Sequence, residues 1–350
     1  MSESVRRYLP LLLGLCYLLA LLVPYAGQQL HAWSLPEELP EVLRPRISQI
    51  LVALLLFFAA LGADVRRLTE VAGRPGLLLT SLAAVWLVPA AVVLAMWWVL
   101  PLIVDIATAS KLLLGIALVA AMPVANSSAA WTQQSRGGLP WTLSLVVLSI
   151  VACPWMIPLV LRLLGLSFLP DESAELAKLT TSFTGMEFVV WVLLPTAVGM
   201  LVRQLVGPTR VAAHRQGVLL WSASALLLLN YVNAAVALPQ MRSEFQIEWL
   251  AASLLAALAF CFAGLAASRA FGHGFDETRE TVTALDYSLT MKNTGLALAL
   301  ASDVLMDRPI LLLPVFTVTL VQHLFASWLH RAAVWRTDHA AEEDVTEKSA

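Results

Sequence analysis

The chain has 350 residues, of which 59% are apolar and only 13% charged, with a formal net charge of −2. Soluble domains carry about a quarter charged residues, whereas here the apolar residues gather into blocks of about 17–25, the length that crosses a hydrocarbon core of about 30 Å. An ordinary soluble enzyme is thereby excluded, and the scattered basic residues present no nucleic-acid-binding surface. The expected class is an all-α polytopic protein whose immediate partner is the lipid bilayer.

In chain order, Arg6 and Arg7 precede the first apolar block. No small-x-small cleavage site stands ahead of Gln28, so the block reads as a retained span rather than a cleaved signal. Ten crossings are predicted, at about 8–26, 47–63, 77–100, 109–135, 139–165, 186–205, 217–238, 247–268, 280–303 and 309–332. Lys and Arg favour, about two to one, the loops on the N-terminal side. Both termini are therefore expected in the cytoplasm, in a bacterial-type inner membrane. Trp97, Trp98 and Trp249 lie near block ends, as interfacial belts do. Cys16, Cys153 and Cys261 sit inside apolar blocks without ligand spacing and read as packing residues. The acidic stretch 333–350 reads as a disordered, solvated cytoplasmic tail.

Ten spans divide into five plus five, and an odd number per copy inverts the second copy. Breaks and prolines recur at offsets of roughly 160–180 residues, which predicts a first repeat over 1–165 and a second, inverted repeat over 166–332.

Two blocks carry polar residues in mid-span. The fourth reads KLLLGIALVAAMPVANSSAAWTQQSRGG. Pro123 removes a backbone donor and must kink or stop the helix. Asn126, Ser127 and Ser128 occupy the restart, and Thr132 shares a face with Ser128. A half-helix restarting there presents its positive N-terminal end near the bilayer midplane. The ninth block reads ETVTALDYSLTMKNTGLALALASDV, with Ser288, Lys292, Asn293, Thr294 and Gly295 at its interruption. Asn and Gly tolerate non-helical angles, and Thr294 is placed to cap the restart. Lys292 lies about eleven residues from either end of its span, roughly 16 Å at the helical rise, which is beyond comfortable snorkelling. A buried ammonium costs at least about 2.5 kcal/mol and requires a partner or a water-filled cavity. Asp286, six residues away, does not share its face on an unbroken helix.

Ser, Thr and Asn clusters also serve simply to pack helices, and Asn230 with Asn233 on block seven are read that way. Glu187, Asp303 and Asp307 lie near span ends and read as solvated. The six histidines are dispersed, with no H-E-x-x-H, no G-x-S-x-G and no paired carboxylates facing one cavity, so no catalytic residue and no enzyme is expected. What the pattern predicts is a secondary transporter with its binding site where two broken helices cross. Asn126, Ser127, Ser128, Thr132, Ser288, Lys292, Asn293 and Thr294 are its candidate substrate residues, and the positive charge favours a small organic anion.

Three stretches resemble the bile acid:sodium symporter family. They are LGADVRRLTEVAGRP (61–75), MPVANSSAAWTQQSRGGLPWTLSLVVLSIVACPWMIP (122–158) and SLTMKNTGLALALA (288–301), the last similar to the family's E-x-x-x-Q-N-S-G-L-A signature. The resemblance implies ten helices in a panel and a core, with helices 4 and 9 discontinuous and crossing beside the substrate cavity. It also implies a sodium cage that this chain has altered. The family's glutamate falls at Ser288 and its glutamine at Lys292; an asparagine becomes Ala129, a third-span glutamine falls at Ala84, and Val146 loses a hydroxyl. Ser128, Thr142, Ser288 and Asn293 are the residual sodium-site candidates. Hard cations need several oxygens and gain from a carboxylate; here the carboxylate is gone and a fixed cation has arrived. Sodium-independent transport with Lys292 in the ion's place is the leading expectation, without an organic cofactor or resident metal. A sodium symporter with a rearranged ion site, or a non-transporting membrane sensor on the same scaffold, are the alternatives. Substrate identity, direction of flux and oligomeric state are not encoded legibly.

Overall fold

The fold is given by a computed structural model that describes residues 8–33, 45–62, 71–166, 185–242, 245–301 and 309–349, with isolated positions between 168 and 180. The described residues are helical apart from turns and one isolated bridge. In chain order the helices are α1 (Leu9–Leu22), α2 (Pro24–Ala32), α3 (Ile47–Gly62), α4 (Pro75–Val99), α5 (Ile106–Ala121), α6 (Ser127–Gln134) and α7 (Leu139–Gly165). There follow α8 (Met186–Val206), α9 (Pro208–Ala213), α10 (Arg215–Met241), α11 (Ile247–Gly274), α12 (Arg279–Thr290), α13 (Thr294–Ala301) and α14 (Leu313–Ser349).

Among the described residues, six helices are long and apolar enough to cross a membrane: Pro75–Leu102, Leu139–Gly165, Met186–Val206, Gln216–Met241, Ile247–Gly274 and Ile310–Ala333. A seventh is added if α1 and α2, bent by 90° at Val23, count as one span. Pro24 makes that bend, because it cannot donate to the preceding turn. The protein is an integral, multi-pass membrane protein. Its outward apolar residues agree: Trp98 is 78% exposed and Leu102 84% exposed, which water would penalise and lipid does not.

Two packing groups divide the helices. In one, α3 and α1 pack on α10, and α8 packs on α3. In the other, α11 packs against α4, α12 and α14, while α5 and α7 pack on α4. The apolar stretch of α14 is 78% buried and that of α8 only 17%, so the first is a central element and the second a peripheral one. Close approach is written in small residues. A Cβ added at Gly115 would fall 2.1 Å from the Leu311 carbonyl oxygen, and one at Gly264 would fall 2.3 Å from that of Leu289.

Beyond residue 332 the helix continues to Ser349, through the stretch expected to be a disordered tail. Its Ala, Glu and Lys content favours helix.

Candidate functional site

The fourth and ninth apolar blocks both break where their sequences lose helical character. Helix α5 ends at Ala121 because Met122, the residue before Pro123, is extended (φ −72°, ψ 151°). Helix α12 ends at Thr290, followed by extended Met291 (φ −117°, ψ 125°). The two extended segments lie antiparallel. Ala125 N donates to Met291 O at 3.0 Å and Asn293 N donates to Pro123 O at 2.9 Å, with Val124 and Lys292 as the bridged pair. Backbone groups freed in a membrane interior must be satisfied within the protein, and here each break satisfies the other.

The restarts are built differently. Asn293 Oδ1 accepts from Leu296 N at 3.1 Å and so caps α13. Sequence had offered Thr294 for that role, but a side chain one residue earlier is the one placed to reach back into the first turn. Asn126 stands at the N-cap of α6 without a side-chain cap bond, and its Oδ1 is buried with no partner among the described residues.

A cavity of about 340 Å³ opens beside the crossing. Five predicted residues line it, namely Asn126, Ser127, Lys292, Asn293 and Thr294. Both half-helix N-termini thus face one space, where their amides and dipoles favour negative charge. Arg203 and Lys292 are its Lys and Arg lining residues, and no Asp or Glu is among the described residues that line it.

The other predicted residues lie behind the wall. Ser128 Oγ donates to Ala125 O (2.7 Å) and Ser288 Oγ to Ala284 O (2.7 Å). Thr132 Oγ1 shares a 2.8 Å hydrogen bond with Thr142 Oγ1, which also reaches Ala284 O at 3.4 Å. All four hydroxyls are buried; those of Thr132 and Thr142 tie α6 to α7 and α7 to α12, whereas those of Ser128 and Ser288 return to the backbone of their own segments. Of the sodium-site candidates, Asn293 alone lines the cavity, and its side-chain oxygen is engaged as a helix cap.

Lys292 is 3% exposed, and its ammonium donates to the carbonyls of Val85, in α4, and Met122, the latter at 3.1 Å. Its backbone N–H donates to Gln322 Oε1 at 2.8 Å. Asp286 is engaged elsewhere, with Arg269 at 2.6 Å and Ser268 Oγ at 2.6 Å. Sequence reading found the cation but not its partners, because a carbonyl has no letter of its own. It also passed over Gln322 and His323, which line the cavity from the buried face of α14, and Arg203, counted as a loop cation. A Gln-His pair in mid-span was the available signal for the first two.

Comparison with known proteins bears on this geometry. A family model described as the sodium bile acid symporter family matches residues 49–243, more than half of the chain and inclusive of the first break. The chain belongs to the sodium bile acid symporter family. It is also 24% identical over 188 residues to the uncharacterized protein YbaS of Bacillus subtilis (strain 168), over 53% of this chain and 58% of that protein. The chain therefore matches less than two thirds of that relative's length. The family match ends ahead of the second break, so Lys292 and its neighbours are read from their own geometry.

Proposed function

We propose that the protein is a secondary transporter that moves a small organic anion across the membrane without requiring sodium. Family membership supports transport. A cavity with two half-helix N-termini, Arg203 and Lys292, and no carboxylate among the described lining residues, supports an anion. One observation carries the loss of sodium coupling. At the crossing, where a coupled cation would neutralise partial negative charge, the Lys292 ammonium already does so on two backbone carbonyls. Uptake then proceeds by facilitated diffusion, by exchange or with a proton.

The proposed architecture is ten spans in two inverted repeats, 1–165 and 166–332, with both termini cytoplasmic in an inner membrane. The antiparallel pairing of the two breaks fits such a repeat, since inversion runs equivalent segments in opposite directions.

A thermal-stability screen of carboxylates and sulfonates on the purified protein selects the anion, because a ligand bound to the folded state raises stability by mass action. Uptake of that anion into proteoliposomes, measured with and without an inward sodium gradient, then tests the proposal. Equal rates are expected. Steep sodium dependence overturns the loss of coupling, and binding without flux overturns transport in favour of a sensor.

A further inference from the structure

The Lys292 ammonium ends on two carbonyl oxygens that a regular helix would have occupied. In α4 the residue four after Val85 is Pro89, which has no N–H to give, so the Val85 carbonyl lacks its intrahelical donor. At the end of α5, Met122 is the extended cap residue before Pro123, and its carbonyl lies beyond the last helical turn. Nζ donates to both. Carbonyl oxygens only accept and an ammonium only donates, so the match is complementary. The C-terminal end of α5 adds the negative pole of its dipole at the same point.

We infer that the Val85 and Met122 carbonyls form a seat for a monovalent N–H-bearing cation, which the chain fills with its own Lys292 ammonium. Acting as a tethered ion, the ammonium pins α4 to the paired breaks. Lys292 is here a positioning residue, joining three elements that its carbon stem alone would not hold. The inference rests on the reading of Lys292 as the cation of the crossing, and adds the ligands of that cation and the class of free molecule able to replace it. Truncating the side chain empties a space shaped for a short alkyl stem and one ammonium head. A small primary alkylammonium is therefore the free ligand.

The test is thermal unfolding of the purified full-length protein in detergent, with ethylammonium chloride as the probe and tetramethylammonium chloride as a control of equal charge without N–H donors. Lys292→Ala is expected to melt below the wild type. Ethylammonium raises its midpoint saturably by about 3 °C or more, while the wild type, whose seat is filled, does not respond. Tetramethylammonium leaves both unchanged. Adding Pro89→Ala to the variant supplies an N–H to the Val85 carbonyl and weakens the ethylammonium response about tenfold, as loss of a hydrogen bond to a charged group does. Should Lys292→Ala not accumulate, Lys292→Gln is read in the same way with methylammonium, since the shorter amide leaves room for it. An equal response of variant and wild type overturns the inference, as does tetramethylammonium matching ethylammonium, or indifference to Pro89→Ala. No transported substrate enters the measurement. A flat melting response therefore removes the seat and leaves anion transport standing, whereas steep sodium dependence of wild-type uptake removes the coupling reading whatever the melting curves show.

Discussion

Lys292 was legible as an anomaly because ionised side chains are costly in mid-span. Its partners were not legible, since Val85 and Met122 contribute main-chain atoms and lie in other elements. Pro89 was the one available signal, as it marks a carbonyl four residues back that needs a donor. If the ammonium is required at the crossing, Lys292→Gln lowers sodium-free uptake in proteoliposomes by at least about tenfold, on the same hydrogen-bond scale. Unchanged uptake rates would refute that requirement. Asn293 carries a different load. Asn293→Ala removes the acceptor for Leu296 N and is expected to cost about 1 kcal/mol in an unfolding measurement, with Asn293→Ser retaining most of it. Equal losses for both substitutions would show that the cap contributes nothing.

At the scale of elements, the first break was plain from Pro123 and the second from Asn293 and Gly295, because both sequences interrupt an apolar run with residues that helices tolerate poorly. That the breaks hydrogen-bond to one another was not. Sequence assigned Ser128, Thr132 and Ser288 to a substrate site; in the fold the Thr132 hydroxyl ties α6 to α7, and those of Ser128 and Ser288 bond the backbone three and four residues back. Polar type alone does not say which residues line the cavity, and the packing of the helices does. The close contact of α11 with the end of α12 gives an element-level prediction. Gly264→Ala places a methyl group 2.3 Å from the Leu289 carbonyl oxygen, and forced overpacking of this kind costs about 1–3 kcal/mol. A midpoint equal to the wild type would mean that α11 can withdraw without loss. Thr142→Val deprives the buried Thr132 hydroxyl of its partner and is expected to destabilise by a similar amount.

For the whole molecule, the excess of Lys and Arg on alternate loops supports the proposed orientation with both termini in the cytoplasm. Cysteines introduced singly at Ser2 and Ser349 are expected to react with a membrane-impermeant maleimide only after the cells are opened. Labelling of intact cells at either position would reverse the proposed orientation. Composition and block length determined by themselves that this is a helical, multi-pass membrane protein, since hydrophobic length against bilayer thickness is a one-dimensional property readable along the chain. They also located the two interruptions, because proline, asparagine and glycine act on their own backbone. Only the tertiary structure decided what the interruptions do. It set the breaks against each other, turned two half-helix ends toward one cavity and placed the Lys292 ammonium on one carbonyl of α4 and one just beyond the end of α5. Those contacts join residues as far as 207 positions apart through main-chain atoms that every residue shares, so no letter in the sequence names them.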